Sequence, residues 1–439
     1  MTNSASEHIA TVIEFLNQNA DYAVLRNYEG LPDKNTSRDI DIIITAKSLR
    51  SIKKRLIELI DKSGWKIINY LNSDRLITYV CAHIDANGKA DLIQWDFFIN
   101  TSVFGILLMD AKEFLAHKQF NGFLYYVGIE CQFLDKYLYN RAVGSSYPAK
   151  YHATRSAAEN LPAVSEKLQA LFGKPTVEAC DRASSRKLLF HAILANLKNP
   201  FTFVARVSKF LYTFSKNYIC SNTGFSIGFT GPDGSGKTTV IDLMIKEFGE
   251  VFRQAHSYYH FRPTLFGNLG EVAHSAGLKK EVDREYDKPH RGGKTSAFNS
   301  FLRLIYYTID YIVGYFIKVK SKTRITHLVI FDRYYTDIIC DSRRSRIYLN
   351  PKFLYRWGRL FIPSLDYNIL LTASTETILA RKKELDESGI QAINGKIDYL
   401  SDKKGYLKIL NEDAPENAVQ KILTQIFEKQ HTKNLKRLK

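Results

Sequence analysis

Gly231-Pro232-Asp233-Gly234-Ser235-Gly236-Lys237-Thr238-Thr239 decides how this chain is read. Gly231, Gly236, Lys237 and Thr238 match the spaced pattern G-x-x-x-x-G-K-[ST]. Before it, Phe225, Ile227 and Phe229 alternate with Ser226 and Gly228, the period of a strand. After it, Val240 to Phe248 carries apolar residues at helical spacing. A strand, a glycine turn and a helix N-terminus in that order form an anion cradle. Backbone N–H groups converge there, and the helix dipole adds partial positive charge. Gly231, Gly234, Ser235, Gly236, Lys237, Thr238 and Thr239 are therefore the expected ATP-binding residues. Lys237 is expected to reach the outer phosphates and Thr238 to hold Mg²⁺.

The chain has 439 residues, enough for two or three domains, and 45% of them are hydrophobic. Its start, Met1 to His8, lacks a basic end followed by an apolar core, so no secretory signal is expected. Cys81, Cys131, Cys180, Cys220 and Cys340 are scattered without C-x-x-C spacing, which excludes a zinc site and suits a reducing cytoplasm. The net charge is +17. Such a balance fits anionic substrates, an acidic membrane surface or nucleic acid. The nucleic-acid reading rests on charge alone, with no binding module, and no nucleic-acid partner is expected. The basic end, Lys429 to Lys439, reads either as a solvated tail or as a weak electrostatic hold on the inner leaflet. The most apolar stretch, Phe301 to Ile317, contains Arg303 and Asp310. It falls short of a membrane span and reads as a buried helix.

Beyond the glycine loop the pattern is β-α-β-α, a parallel sheet flanked by helices. Three clusters fall where ligands gather at such a sheet's edge. The first ends a strand at Phe261-Arg262-Pro263, where Arg262 is expected to hold an acceptor by its planar fork. The second follows the apolar strand Leu328 to Phe331 with Asp332, Arg333 and Tyr334. Asp332 is placed to serve Mg²⁺ or the acceptor hydroxyl, and Arg333 to neutralise phosphate. Downstream, Arg343, Arg344 and Arg346 in Asp341-Ser-Arg-Arg-Ser-Arg either bind acceptor phosphates or form a solvated basic face. The third follows the strand Ile369 to Ser374. There Arg381, Lys382 and Lys383 read as a basic lid or as an exposed helix end.

Taken together, residues from about 224 to 428 resemble the thymidylate kinase family. The loop resembles that family's phosphate loop, with Asp233 as the acid turned toward the acceptor sugar. Phe261-Arg262-Pro263 resembles its Arg-Glu-Pro motif without the Glu. Asp332-Arg333-Tyr334 resembles its Asp-Arg-[Tyr/His] motif, and Ile378-Leu-Ala-Arg-Lys-Lys-Glu sits at the lid. The resemblance implies ATP and Mg²⁺ as cofactors and in-line transfer of the γ-phosphoryl group. It implies catalytic roles for Lys237, Asp233, Asp332, Arg333 and Arg381. It implies acceptor contacts from Arg262 and Tyr334, Mg²⁺ on Thr238 and Asp332, and a homodimer; the segment with Arg343 and Arg344, acceptor candidates on the residue reading above, stands where the family has its usual base-binding region.

Upstream, Arg38-Asp-Ile-Asp-Ile-Ile-Ile reads as a strand with Asp39 and Asp41 on one face. Two aligned carboxylates begin a divalent-metal site. Leu76 to Asp85 and Lys89 to Ile99 read as a hairpin whose second strand carries Asp91 and Asp96 on opposite faces. This stretch resembles the nucleotidyltransferase superfamily, with its D-x-D strand and a later third acid. By Ile93-Gln-Trp-Asp-Phe-Phe the third acid is Asp96, with Asp91 as the alternative. In that superfamily the three acids hold Mg²⁺. Arg26-Asn27-Tyr28 stands where Gly-Ser is usual, which leaves two readings, an active transferase or a nucleotide- or sugar-phosphate-binding module.

The sequence thus gives an α/β chain in three parts: a nucleotidyltransferase-like α+β domain (1–109), a helical extension and bridge (110–221) and a P-loop domain (222–439). The reading is a cytoplasmic ATP-dependent kinase, its basic tail either solvated or in weak peripheral contact with the inner membrane. Its acceptor is a nucleoside monophosphate or a sugar or sugar phosphate. The fusion resembles thymidylate-kinase-like enzymes of bacterial surface-polysaccharide functions. The alternative is a nucleotide-binding regulator or scaffold that turns over no small acceptor.

Overall fold

The computed structural model describes residues 3–37, 39–219, 223–248, 256–263, 296–324, 327–382 and 384–438. Lys383 of the expected lid lies outside them. The chain divides into two compact units, Met1–Cys220 with Phe427–Lys439, and Ser221–Ile426.

The first unit is built on β1 (Tyr22–Val24), β2 (Asp39–Ile44), β3 (Lys66–Asn72), β4 (Leu76–Ile84), β5 (Ala90–Phe98), β6 (Asn100–Val103), β7 (Ile106–Asp110), β8 (Gln119–Phe120) and β9 (Tyr125–Tyr126). Seven of these form one mixed sheet in the order β3-β4-β5-β2-β1-β9-β8, and β6 pairs with β7. The expected hairpin is β4–β5, antiparallel, with a turn at Asp85 to Lys89. β2 lies parallel to β5 in a register that sets Asp41 directly opposite Asp96. The helices Asn3–Asn19 and Ala46–Lys62 send Ile9, Val12, Ile13 and Leu16, and Leu49, Ile52, Leu56 and Ile60, into one core with Ile42, Ile44 and Trp95. Thr45 caps the second helix by accepting from the Ser48 N–H. A second core gathers Phe133, Tyr137, Leu168, Phe172 and Leu188 of the helical extension.

The second unit is a five-stranded sheet: β10 (Phe225–Thr230), β11 (His256–His260), β12 (Leu328–Asp332), β13 (Tyr367–Thr372) and β14 (Tyr406–Leu410). Its order is β11-β12-β10-β13-β14, and all four pairings are parallel. β10 and β12 are buried along their whole length. That is why they read as apolar runs. With the glycine loop leaving the central strand β10, this is the strand-loop-helix architecture of a P-loop sheet.

Two expectations change here. The Ala297–Gly314 helix is not buried all round. Leu304, Tyr307 and Tyr311 enter the core, whereas Phe298, Leu302 and Ile309 stand exposed. Eighteen residues at 3.6 per turn present every face in succession, and only one meets the sheet. The basic end is not a loose tail either. It closes the helix Pro415–Leu438, and its last turns belong to the first unit. There the Asn434 amide donates to the Ile67 carbonyl at 2.9 Å, and the His431 ring lies 2.9 Å from Asp61. Among the described residues no helix is long and apolar enough to cross a membrane.

Candidate phosphoryl-transfer site and acid cluster

β10 ends at Thr230 and the Lys237–Phe248 helix begins seven residues later, so the loop between them has to turn sharply. Two of its glycines are forced. A Cβ on Gly231 would stand 2.0 Å from the Leu371 carbonyl oxygen of β13. Gly236 has φ +86°, and a Cβ there would meet the Asn411 side chain at 2.4 Å. Asn411 in turn donates to the Ser235 carbonyl at 2.9 Å, tying the loop to the end of β14.

Lys237 bends back over the loop and donates to the carbonyls of Gly231 and Pro232, each at 2.8 Å. Burial, and after it the nearby Arg333 cation, brings its ammonium down from 10.5 to about 7. β12 delivers Asp332 at its last position, 5% exposed. Burial opposes its ionisation. The hydrogen bond from His260 and the charges of Lys237 and Arg333 outweigh burial and hold the carboxyl at about 2. Tyr258 donates to its Oδ2 at 3.1 Å, while its Oδ1 is buried with no hydrogen-bond partner among the described residues. A buried carboxylate oxygen left in that state suits a cation.

Arg333 has φ +77°, a left-handed conformation that costs a non-glycine residue about 1 to 3 kcal/mol. Its N–H bonds the Phe229 carbonyl at 2.9 Å, and its guanidinium reaches Asp233 at 2.5 Å and Asp337 at 2.6 Å. Burial works against that cation, but Asp337, Asp233 and Asp332 together raise its proton affinity above the ordinary value. Arg344 also donates to Asp233. Asp233 is thus clamped between two arginines. Arg381 donates to the carbonyls of Asn411 at 2.9 Å and Glu412 at 3.2 Å.

A cavity of about 530 Å³ joins these groups. The loop contributes Asp233, Gly234, Gly236, Lys237, Thr238 and Thr239, facing Asp332, Arg333, Arg344, Arg381 and Lys382. Ser235 is fully buried beneath the loop, and its hydroxyl has no partner.

Three expected acceptor residues stand elsewhere. Arg262 is 2% exposed, bonded to the fully buried Asp310 at 2.8 Å and stacked on Tyr307 at 4.7 Å, so its fork is turned into the core. Tyr334 is buried, with its hydroxyl donating to the Pro363 carbonyl at 2.9 Å. Arg343 is half-exposed and lies 3.7 Å from Asp386, outside the cavity. Arg346 takes the left-handed φ of +52° that ends its short helix. His260, Glu384 and Lys382 do line the cavity. His260 was legible: it shares strand parity with Tyr258, and both reach Asp332.

In the first unit, carboxylate oxygens of Asp39, Asp41 and Asp96 lie within 4.8 Å of one another. The β2–β5 register explains this, and it leaves Asp91 beside His83 at the far end of β5. Asp96 is fully buried and accepts from Thr78 at 2.5 Å and Gln94 at 3.0 Å. Sequence reading missed the cation in this cluster. Arg26 reaches Asp41 and Asp135, each at 2.7 Å, and Thr101 donates to the other oxygen of Asp135 at 2.5 Å. Burial disfavours the ionised Asp135, yet the Arg26 charge holds its carboxyl below the ordinary range. Three carboxylates with hard oxygen donors fit a divalent cation. Arg26 already neutralises one of them, Asp41.

No family model matches the chain, and no curated protein does. Among solved structures it is similar to a thymidylate kinase from Ehrlichia chaffeensis, at 15% identity over 47% of this chain and 98% of that one, with a TM-score of 0.31. A thymidylate kinase from Candida albicans gives 18% identity, 47% and 93% coverage and a TM-score of 0.33. A deoxyadenosine kinase from M. mycoides, solved with bound dATP, gives 16%, 46% and 98%, and 0.29. Scores this low leave function to be argued from the residues themselves.

Proposed function

We propose that the second unit is an ATP-dependent phosphotransferase for a small anionic acceptor, a nucleoside monophosphate or a sugar phosphate. One observation carries this reading. A single cavity has phosphate-loop backbone, Lys237 and Thr238 along one wall, with Asp332, Arg333, Arg344 and Arg381 facing them. A protein that only bound ATP would have no use for the second wall.

The loop N–H groups and Lys237 hold the ATP phosphates. Thr238 and Asp332 would hold Mg²⁺, which would supply positive charge against the phosphates. Asp332 stays ionised across the physiological range and can orient an acceptor hydroxyl. Arg333, fixed by Asp233 and Asp337, offers charge to the transferring group without having to reorganise. Arg344 gives the acceptor an anion contact, which favours a phosphorylated acceptor over a neutral sugar. In the first unit the Asp39, Asp41 and Asp96 carboxylates would hold a divalent cation beside Arg26. That unit is read as binding a nucleotide or sugar phosphate, and a role in surface-polysaccharide synthesis would join the two activities.

The test is an acceptor screen with the full chain, ATP and Mg²⁺, following ADP release. The panel holds dTMP, other nucleoside monophosphates, sugars and sugar phosphates, with Lys237→Met as the blank. Turnover on a phosphorylated acceptor that vanishes in the blank supports the proposal. ATP binding without turnover on any acceptor moves the reading to a nucleotide-dependent regulator, and equal activity in the blank removes the site.

A further inference from the structure

We propose that the helix Pro200–Ile219 is a membrane-surface element, seating the first unit on an anionic lipid bilayer. This stretch plays no part in the phosphoryl-transfer reading. It is a 20-residue helix with no buried residue. One side rests on its own unit. Phe210 packs edge-on against Phe104 with ring centres 5.8 Å apart. Lys209 donates to the Asp74 carbonyl at 3.0 Å and Asn217 to the Asn72 carbonyl at 2.9 Å. The other side is open and apolar: Phe201 is 90% exposed, Tyr212 64%, Ile219 66% and Leu211 55%, with Val204 and Tyr218 beside them.

At 3.6 residues per turn these side chains share one face, and Lys209 and Lys216 border it along one flank. The preceding helix, Ser185–Leu197, exposes Phe190, Leu194 and Leu197. Exposed apolar residues repeated this densely are rare on a protein surface that meets only water.

Charge selects the occupant. No Asp or Glu stands between Asp181 and Asp233, while Arg186, Lys187, Lys198, Arg206, Lys209 and Lys216 all do. Arg206 turns inward to Asn196, and the other five are exposed. An apolar helical face with aromatic rings, lysine-flanked and free of acid, is the composition of a helix lying in the headgroup plane. A second copy of the same patch would set lysine against lysine. An anionic bilayer instead offers both partners at once, acyl chains for Phe201, Leu211 and Ile219 and phosphates for the lysines. The helix lies in the plane and spans nothing, consistent with Arg206, Lys209 and Lys216 inside it and with the absence among the described residues of any helix long and apolar enough to cross.

The experiment is flotation of the full chain with vesicles of phosphatidylcholine alone, or with about one-third phosphatidylglycerol, at low and high salt. Association with the anionic vesicles that weakens as salt rises is expected. Lys209→Glu with Lys216→Glu should lower the partition coefficient about tenfold or more. Phe201→Ser, Leu211→Gln and Ile219→Gln together should abolish association. All three sites are exposed, and circular dichroism and ATP binding should stay unchanged as checks on the fold. Absence of binding to either vesicle overturns the proposal, as does binding that survives the triple substitution. A concentration-dependent dimer that the triple substitution dissolves, without vesicle binding, assigns the face to a second copy and also overturns it.

Discussion

Lys237 should be a stability liability in the free protein, and removing its charge should show this. The ammonium is 6% exposed and lies near Arg333, which together bring its proton affinity down from 10.5 to about 7. At about 1.4 kcal/mol per tenfold, holding the charged form in the fold costs on the order of 5 kcal/mol. Its two hydrogen bonds to the Gly231 and Pro232 carbonyls return about 1 kcal/mol each. Lys237→Met keeps the shape and removes the charge. It should therefore stabilise the ligand-free protein by about 1 to 3 kcal/mol near pH 6.5, roughly 2 to 4 °C per kcal/mol for a unit of this size.

The pH dependence gives the sharper test. The unfolded lysine stays protonated up to about 10.5 and the folded one only up to about 7. The wild-type penalty is thus full below pH 7, fades through that window and is gone above it. The advantage of Lys237→Met should shrink accordingly between pH 7 and 10. The assay is thermal unfolding of both proteins at pH 6.5, 8 and 9.5, without and with ATP and Mg²⁺. ATP should raise the wild-type midpoint and leave the variant's unmoved. A variant less stable than wild type at every pH, or a difference constant across the range, would refute the argument.

Other substitutions follow from the same contacts. Gly236→Ala places a Cβ 2.4 Å from the Asn411 side chain at a positive φ, so ATP binding measured by calorimetry should be lost. Asp332→Asn should keep ATP affinity within a few fold and lower kcat by at least about a hundredfold in the acceptor assay. Arg344→Ala should raise the acceptor KM by about tenfold with the ATP KM unchanged; equal effects on both would place the acceptor elsewhere. Arg26→Met leaves Asp41 and Asp135 buried without their cation and should cost about 3 to 5 kcal/mol in urea unfolding at pH 7. Because Arg26 is what keeps Asp135 ionised, the deficit should narrow as pH falls through the carboxylate range.

Legibility in the sequence followed the range of the interaction. The phosphate loop is contiguous, and its glycines answer to backbone that any such turn meets, so Gly231 to Thr239 could be read directly. Asp39 and Asp41 share a face by strand parity. Asp96 was within reach because a neighbouring strand was expected to supply the third acid. Arg262 and Tyr334 sit in motifs that point toward an acceptor, but their direction is set by partners far along the chain. Asp310, 48 residues from Arg262, turns that guanidinium into the core. Arg26 and Asp135 are 109 residues apart, and no local pattern links them. The apolar stretch from Phe301 was read by composition alone. Composition cannot tell a helix buried all round from one that hides a single face.

Both acid clusters share a device that bears on what they can bind. In each, a buried arginine holds carboxylates before any ligand arrives, Arg333 on Asp233 and Asp337, and Arg26 on Asp41 and Asp135. A carboxylate fixed this way holds its geometry without solvent, and the arginine is positioned in advance. The cost is competition. On the proposed function, an acceptor phosphate in the 530 Å³ cavity would share Arg333 and Arg344 with Asp233, which already satisfies part of their charge. In the first unit Arg26 instead faces the acids themselves. It lowers the net negative charge of the Asp39, Asp41 and Asp96 cluster before any ligand binds.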